Sequence, residues 1–436
     1  MTTGSDGGRR AVFGTGWGVI LTTAGAAIGL GNIWRFPYMM GEHGGLAFLV
    51  LYLGLVVAFG IPGLMAEYAL GRHTRRGPVG AFHGAGMPGA KFFSGLLLVT
   101  IVMAASYYGV VLAEVLHQAV RFGLAALRAG APAAGEPGFA ASMAWVVITV
   151  GLSGTAIALG LRTGIERLST LVLPVFFVMF VALIVYVLGQ DGAIEGLRQF
   201  LRPRLEDLTP RTTLAALGQA VFSLGLGGTL MVMYGSYMRD HDSIPRIAIG
   251  TAGADVAAAL LAGMLIVPAV FAVGVPLDSG PALLFTVMPK VFQGMPAGSV
   301  LGATFFLSMF LVGLLSLIAA YQVAVGAAVD VLGWSRLKGV VALAALQLVL
   351  SVPAVLWSGY IGVSDLVWGT TMMPVGSALA VVALAWFVGR AKALEEIGRR
   401  SRMPVTPLLL YWIKYVLPIG IAVILVYGWW DALSSD

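Results

Sequence analysis

The feature that most limits how this chain can fold is a series of uncharged apolar runs, each long enough to enter or cross a lipid bilayer. Residues 46–65, 92–111, 171–188, 256–273, 301–320 and 417–430 are such runs. A helix needs about 20 apolar residues to span the hydrocarbon. Inside hydrocarbon every backbone N–H and C=O must be paired within the protein, which restricts spanning structure to helices or a closed barrel. No period-two alternation favours a barrel, so a helical bundle remains. The charged fraction is 11%, against about 25% for an ordinary soluble domain.

Reading along the chain predicts eleven spans, at roughly 11–40, 44–71, 91–127, 142–160, 166–189, 212–238, 243–275, 297–332, 336–355, 360–390 and 404–431. The stretch 336–355 has the least distinct pattern. Of the 26 Lys and Arg residues, 17 fall on the side that holds the N-terminus. By the positive-inside rule that side is cytoplasmic. The expectation is a multi-pass protein of the cell inner membrane, with its N-terminus cytoplasmic and its C-terminus outside. The pI of about 9.6 then reflects loop charge, and nucleic acid is not expected as a partner. No signal peptide is legible at the N-terminus. The absence of Cys removes disulfides and thiolate metal sites. No extramembrane stretch is long enough for a second domain. The 1–436 chain therefore reads as one transmembrane domain, with 274–296 a candidate fold-back segment.

Two spans carry signs of interruption. The first contains Gly29, Gly31, Asn32, Arg35 and Pro37 within nine residues. Glycine weakens a helix, Asn offers a side-chain oxygen, and Pro suits the first turn of a restarted helix. Helix packing alone explains glycines in membrane spans, but not an arginine, whose charge is costly there and marks function. About 195 residues later the sixth span holds Gly225, Gly227 and Gly228 beside Ser223 and Thr229. Interruptions at corresponding places point to the midplane binding site of an inverted-repeat transporter. The repeats are read as spans one to five (about 11–189) and six to ten (about 212–390), with 404–431 an extra span. Unwound carbonyls can hold cations, and helix N-termini offer amides to a carboxylate.

The sequence Gly-Leu-Gly-Asn-Ile-Trp-Arg-Phe-Pro-Tyr at 29–38 resembles the first-span signature of the neurotransmitter:sodium symporter family, which has the LeuT-type fold. The likeness continues through Pro62, Glu67, Tyr68, Gly71 and Arg72, the pair Tyr107 and Tyr108, Gly164 to Arg167, residues 222–237, Gln322, Asp330, and Asp365 with Trp368 to Thr370. It covers nearly the whole chain, and eleven spans resembles several bacterial members. The resemblance implies an all-α polytopic membrane protein with a 5+5 inverted repeat and unwound spans one and six. It also implies secondary active transport of an amino acid by alternating access, in which one copy suffices. The oligomeric state is open.

The resemblance further implies that a substrate carboxylate meets Leu30, Gly31 and Tyr108, and that the ammonium meets carbonyls of Ala27, Phe222 and Ser223. Phe222 would be the lid. A first sodium site would use Ala27, Asn32, Ser223 and, on span seven, Asp255. That carboxylate could bind the cation directly, supply the negative charge that chloride supplies in other members, or carry a proton. Chloride is not expected under any of these. A second site would use carbonyls of Gly25, Ile28 and Val312 with Ser316. Here the pattern departs: Leu315 stands where a second oxygen donor is usual, and Ala26 where the family shows Asn or Ser. Hard cations take oxygen ligands, so one sodium ion, or protons through Asp255, is the expectation. Arg35 with Asp365 would form the outer gate. Arg10 with Asp330 near Tyr237 would form the inner one, with Phe13 where tryptophan is common.

Small residues stand at pocket positions that usually carry bulk: Ala104, Gly225, Gly228 and Ala320. With Ser316 nearby, this predicts room for a bulky apolar or aromatic amino acid such as tryptophan, or for an aromatic amine or indole-like relative, unless Met231 and Met233 fill the space. The alternative is proton-coupled transport or exchange of such a compound without sodium. A channel would show rings of repeated polar side chains, and an enzyme would need a nucleophile–base pair or metal cluster that five scattered histidines do not make. A substrate sensor is the remaining class.

Overall fold

Long apolar segments with few helix breakers become long helices, and the computed structural model places them where hydropathy predicts. It describes residues 11–130, 132, 135, 137–274 and 283–434. Among these, nine helices are long and apolar enough to cross a membrane: Leu46–Thr74, Ala90–Leu127, Phe139–Ala158, Leu161–Leu188, Ile244–Val273, Gly298–Leu332, Arg336–Leu356, Gly359–Val388 and Pro407–Trp430. These are spans two to five and seven to eleven. Span one is the pair Gly16–Ala27 and Gly31–Glu42, bent by 64°. Span six is Pro210–Ser223 followed by the short helix Leu230–Gly235. The indistinct ninth span exists over Arg336–Leu356. Of the segment 274–296 read as a fold-back, residues 275–282 lie outside the described residues, as does Arg10; the rest includes the short helical turns Leu283–Val287 and Met288–Gln293.

The face carrying the N-terminal end of span one is termed inner, the opposite face outer. Spans two and six meet backbone to backbone: a Cβ on Gly71 would collide with the Val232 carbonyl, and one on Gly235 would lie 2.6 Å from the Tyr68 carbonyl oxygen. Span eleven docks on span two through Trp412, whose indole N–H donates to the Ala58 carbonyl at 2.6 Å. That carbonyl sits in a π-helical turn, Val56–Gly60, where the regular ladder is disturbed.

On the inner face the Arg72 side chain is fully buried, and its Nε donates to Glu396 Oε1 at 2.5 Å. Glu396 belongs to the helix Arg390–Gly398 that follows span ten. Arg399, which follows that helix, reaches Glu396 Oε2 at 3.4 Å. Removing one partner of a buried pair leaves an uncompensated charge, at a cost of about 3–5 kcal/mol. Glu396→Ala is therefore expected to lower the thermal unfolding midpoint of the detergent-solubilised protein markedly, whereas Glu395→Ala, on an exposed side chain, should leave it nearly unchanged.

Candidate functional site

The first break follows from local chemistry. Ile28 leaves the helix with extended backbone (φ −67°, ψ 111°), and the helix restarts as a π-helical turn at Gly31–Arg35 before Phe36–Glu42, with Pro37 in its first turn. Asn32 Oδ1 accepts the N–H of Gly29 at 3.0 Å, pairing a donor that the break would strand. Gly31 is required because a Cβ there would lie 2.8 Å from the Phe222 ring. In span six the chain turns at Gly225 (φ 63°) and Gly228 (φ 65°), a left-handed conformation that glycine adopts without strain.

The two breaks meet at a buried polar cluster. Asn32 Nδ2 donates to Asp255 Oδ1 at 2.7 Å and to Ser223 Oγ at 2.8 Å. Ser223 Oγ donates to Asp255 Oδ2 at 2.6 Å. Asp255, Asn32 and Ser223 are all buried. Asp255 thus stands at the junction of spans one, six and seven. Its partners are neutral, although a carboxylate held out of water calls for a cation or a proton. The carboxylate, the Ser223 hydroxyl and the Asn32 amide oxygen, after a flip of that amide, are hard donors suited to a small cation. Among the described residues, the Tyr52 hydroxyl and both polar atoms of the Gln219 amide are buried without a hydrogen-bond partner.

The second implied ion position is built differently. Ser316 Oγ lies 2.9 Å from the Ile28 carbonyl oxygen and 3.2 Å from that of Gly25, donating its proton to them. These are two of the oxygens expected to hold an ion. Leu315 packs directly on the break, its Cδ1 2.7 Å from where a Gly25 Cβ would be. Val312 is buried. Isobutyl carbon therefore fills space where an oxygen donor was sought.

A cavity of about 710 Å³ lies against both breaks. It is lined by Ala27, Leu30, Gly31, Asn32, Ala104, Tyr108, Phe222, Ser223, Gly225, Ser316 and Ala320. Gly228, predicted as a wall, is not among the lining residues. It faces span ten instead, where a Cβ would collide with the Gly376 carbonyl. Met231 and Met233 do not line the cavity either. The Met231 sulfur accepts from the Tyr68 hydroxyl at 3.4 Å, and Met233 packs on Gly326. The wall also includes Ile101, Ala105, Leu230 and Met373. Ile101 and Ala105 share the helical face of Ala104 and Tyr108, so the i, i+3, i+4, i+7 spacing could have found them. Met373 on span ten carried no such signal.

The cavity extends outward past Trp34, Arg35, Phe285, Ser358 and Asp365. Arg35 and Asp365, expected to close it, form no ion pair here. The Arg35 guanidinium lies 5.0 Å from the centroid of the Phe222 ring, a cation–π distance, and Asp365 Oδ1 accepts from the Tyr107 hydroxyl at 2.9 Å. The physical reason is conformation: each charge has a different local partner. The inner path is closed. Phe13 is fully buried, its N–H donates to the Tyr237 carbonyl at 3.0 Å, and its ring meets Tyr234 and Tyr237 edge-on. Gln322 Nε2 donates to the Tyr237 hydroxyl at 2.8 Å. Asp330 lies exposed near the end of span eight. The Gly14 and Thr15 N–H groups at the start of span one donate to the Glu166 carboxylate at 2.8 and 3.0 Å. In the sequence Glu166 stands out only as part of the stretch Gly164 to Arg167.

A family model described as the sodium:neurotransmitter symporter family matches residues 10–125 and 127–434. An uncharacterized sodium-dependent transporter of Bacillus subtilis (strain 168), YhdH, is 29% identical over 428 residues, covering 93% of this chain and 95% of that protein. An uncharacterized sodium-dependent transporter of Haemophilus influenzae is 27% identical over 440 residues, with the same coverage of each. Among solved structures, one described as MhsT in complex with L-phenylalanine matches with a TM-score of 0.85 and 30% identity, over 96% of this chain and 100% of that one. The fold is thus LeuT-type, a helical bundle with interrupted first and sixth spans.

Proposed function

The chain belongs to the sodium:neurotransmitter symporter family, and from that premise we propose that it transports a bulky hydrophobic or aromatic amino acid such as tryptophan, driven by one sodium ion. The observation that carries this reading is the buried Asp255–Asn32–Ser223 cluster where the two breaks meet, beside a cavity walled by Ala104, Gly225 and Ala320. Sodium binds between the Asp255 carboxylate, Ser223, Asn32 and the Ala27 carbonyl. The substrate carboxylate lies over Leu30, Gly31 and Tyr108, and its ammonium meets carbonyls at Ala27, Phe222 and Ser223. Its side chain extends into the space that the small residues leave. The solved relative described with L-phenylalanine supports a substrate of this class.

Asp255 supplies a fixed negative charge beside the unpartnered Tyr52 and Gln219 groups, so chloride is not needed. Ser316 takes the carbonyls of a second ion site for its own hydrogen bonds, and Leu315 offers no oxygen. Closure over the substrate brings Arg35 from Phe222 to Asp365. On the inner side Arg10, Asp330 and Tyr237 form the opposing gate, with the N-terminus in the cytoplasm.

Uptake of an amino-acid panel by purified protein in liposomes tests this reading. Sodium, lithium, chloride and pH gradients should be imposed one at a time. Sodium-driven accumulation of tryptophan above glycine and alanine is expected; a preference for glycine or alanine contradicts the substrate reading. The dependence of rate on sodium concentration should be hyperbolic, with a Hill slope near one. Leu315→Thr, which restores a hydroxyl next to Ser316, is expected to steepen it.

A further inference from the structure

Glu67, on span two, is fully buried and touches neither the cavity nor the Asp255 cluster. Its Oε1 accepts the backbone N–H groups of Gly227 and Gly228, each at 3.0 Å, and so holds the sixth-span break. Its Oε2 has no hydrogen-bond partner among the described residues. Two neighbouring hydroxyls are buried and unpartnered as well: Thr229, next in sequence to those glycines, and Ser377 on span ten. Span ten approaches the break closely, because a Cβ on Gly376 would collide with the Gly227 carbonyl. The adjacent Ser377 hydroxyl is thereby brought into the electrostatic neighbourhood of the Glu67 carboxyl.

An ionised carboxylate at this place has two amide dipoles and, among the described residues, no cation. The charged and titratable groups on elements packed against this part of span two are engaged elsewhere. Asp255 bonds Asn32 and Ser223, Glu396 bonds Arg72, Lys414 lies over Trp386, and His83 is exposed. Tyr68 and Tyr234 are buried and carry no positive charge. An uncompensated buried charge is costly, and neutralisation relieves it. Three orphan oxygens are a thin shell for a metal cation. A proton needs one lone pair and one acceptor, and Oε2 with the Ser377 hydroxyl provides both.

We propose that Glu67 is a proton-binding site of the transport cycle, protonated on Oε2 while the sixth-span break is packed against span ten. The inference rests on the transporter reading in one respect: alternating access moves one set of spans against the other around the midplane site. A movement that parts residues 227–228 from Gly376 withdraws Ser377 and lets water reach Oε2. Proton affinity then differs between the two conformations, and that difference couples proton binding to the cycle.

Infrared spectroscopy of the purified protein in lipid tests the proton without any substrate. In an Asp255→Asn background at neutral pH, a carboxylic-acid C=O band sensitive to deuterium exchange is expected. Glu67→Gln should remove that band, and Ser377→Ala should shift it to higher frequency by removing its acceptor. A spectrum without the band, or a band unmoved by both substitutions, overturns the proposal. The Ser377→Ala arm stands alone should Glu67→Gln fail to fold. In liposomes with equal sodium on both sides, the ratio of labelled tryptophan uptake with and without an acid-outside gradient should exceed one. It should fall to one in Glu67→Gln. An unchanged ratio in Glu67→Gln overturns the coupling role. Tryptophan that fails to enter under any gradient contradicts the substrate reading and leaves the infrared result to decide Glu67.

Discussion

Asp255→Asn is expected to weaken sodium binding by on the order of a hundredfold and to abolish sodium-driven uptake at ordinary sodium concentrations. The carboxylate is fully buried, and among the described residues its oxygens bond the Asn32 amide and the Ser223 hydroxyl. Removing one charge of a buried ion pair costs about 3–5 kcal/mol, and each 1.4 kcal/mol or so is tenfold in affinity. The fold should survive, because an Asn at 255 can accept from Asn32 through its amide oxygen and donate to the Ser223 oxygen through its amide nitrogen, and it leaves no charge unpaired. Thermal unfolding with and without sodium separates the outcomes: the wild type gains stability with sodium, and the variant gains little. A variant stabilised by sodium as strongly as the wild type would remove Asp255 from the ion site.

Ala320→Phe should invert the substrate preference. Ala320 lines the cavity opposite the first break with Ala104 and Gly225, and these small residues leave the space that a large side chain would fill. Overpacking costs about 1–3 kcal/mol, which corresponds to tryptophan uptake lower by about tenfold to a hundredfold. Alanine, whose side chain does not reach that wall, should lose much less. Competition by unlabelled tryptophan and alanine against one labelled substrate reads the ratio within a single preparation. Equal losses for both amino acids would mean that Ala320 does not face the substrate side chain.

Much of the architecture was legible because membrane burial is a one-dimensional constraint: span length and charge placement appear directly in sequence. The break residues were legible for a related reason, since glycines beside Asn32, Arg35 and Pro37 are hard to reconcile with an uninterrupted helix. What remained hidden is what depends on distant partners. Gly228 reads as a pocket residue, yet it packs against Gly376, nearly 150 residues away. Glu67 reads as a motif residue, and its role in holding Gly227 and Gly228 appears only when span two crosses span six. Ser316 reads as an ion ligand, whereas here it donates to the carbonyls of Gly25 and Ile28. Arg35 and Asp365 read as a closed pair. Whether they meet is a property of conformation, and in this one each has another partner.

The central claim is that the meeting point of the two breaks holds a single sodium ion that drives the substrate. The ratio of sodium to substrate flux tests it most directly, measured as the sodium gradient that just balances a fixed tryptophan gradient in proteoliposomes held at zero voltage with equal pH on both sides. One sodium per substrate is the predicted ratio, unchanged when chloride is replaced by gluconate. A ratio of two would contradict the account, because it would require an ion where Leu315 and Ser316 now pack against the first-span break.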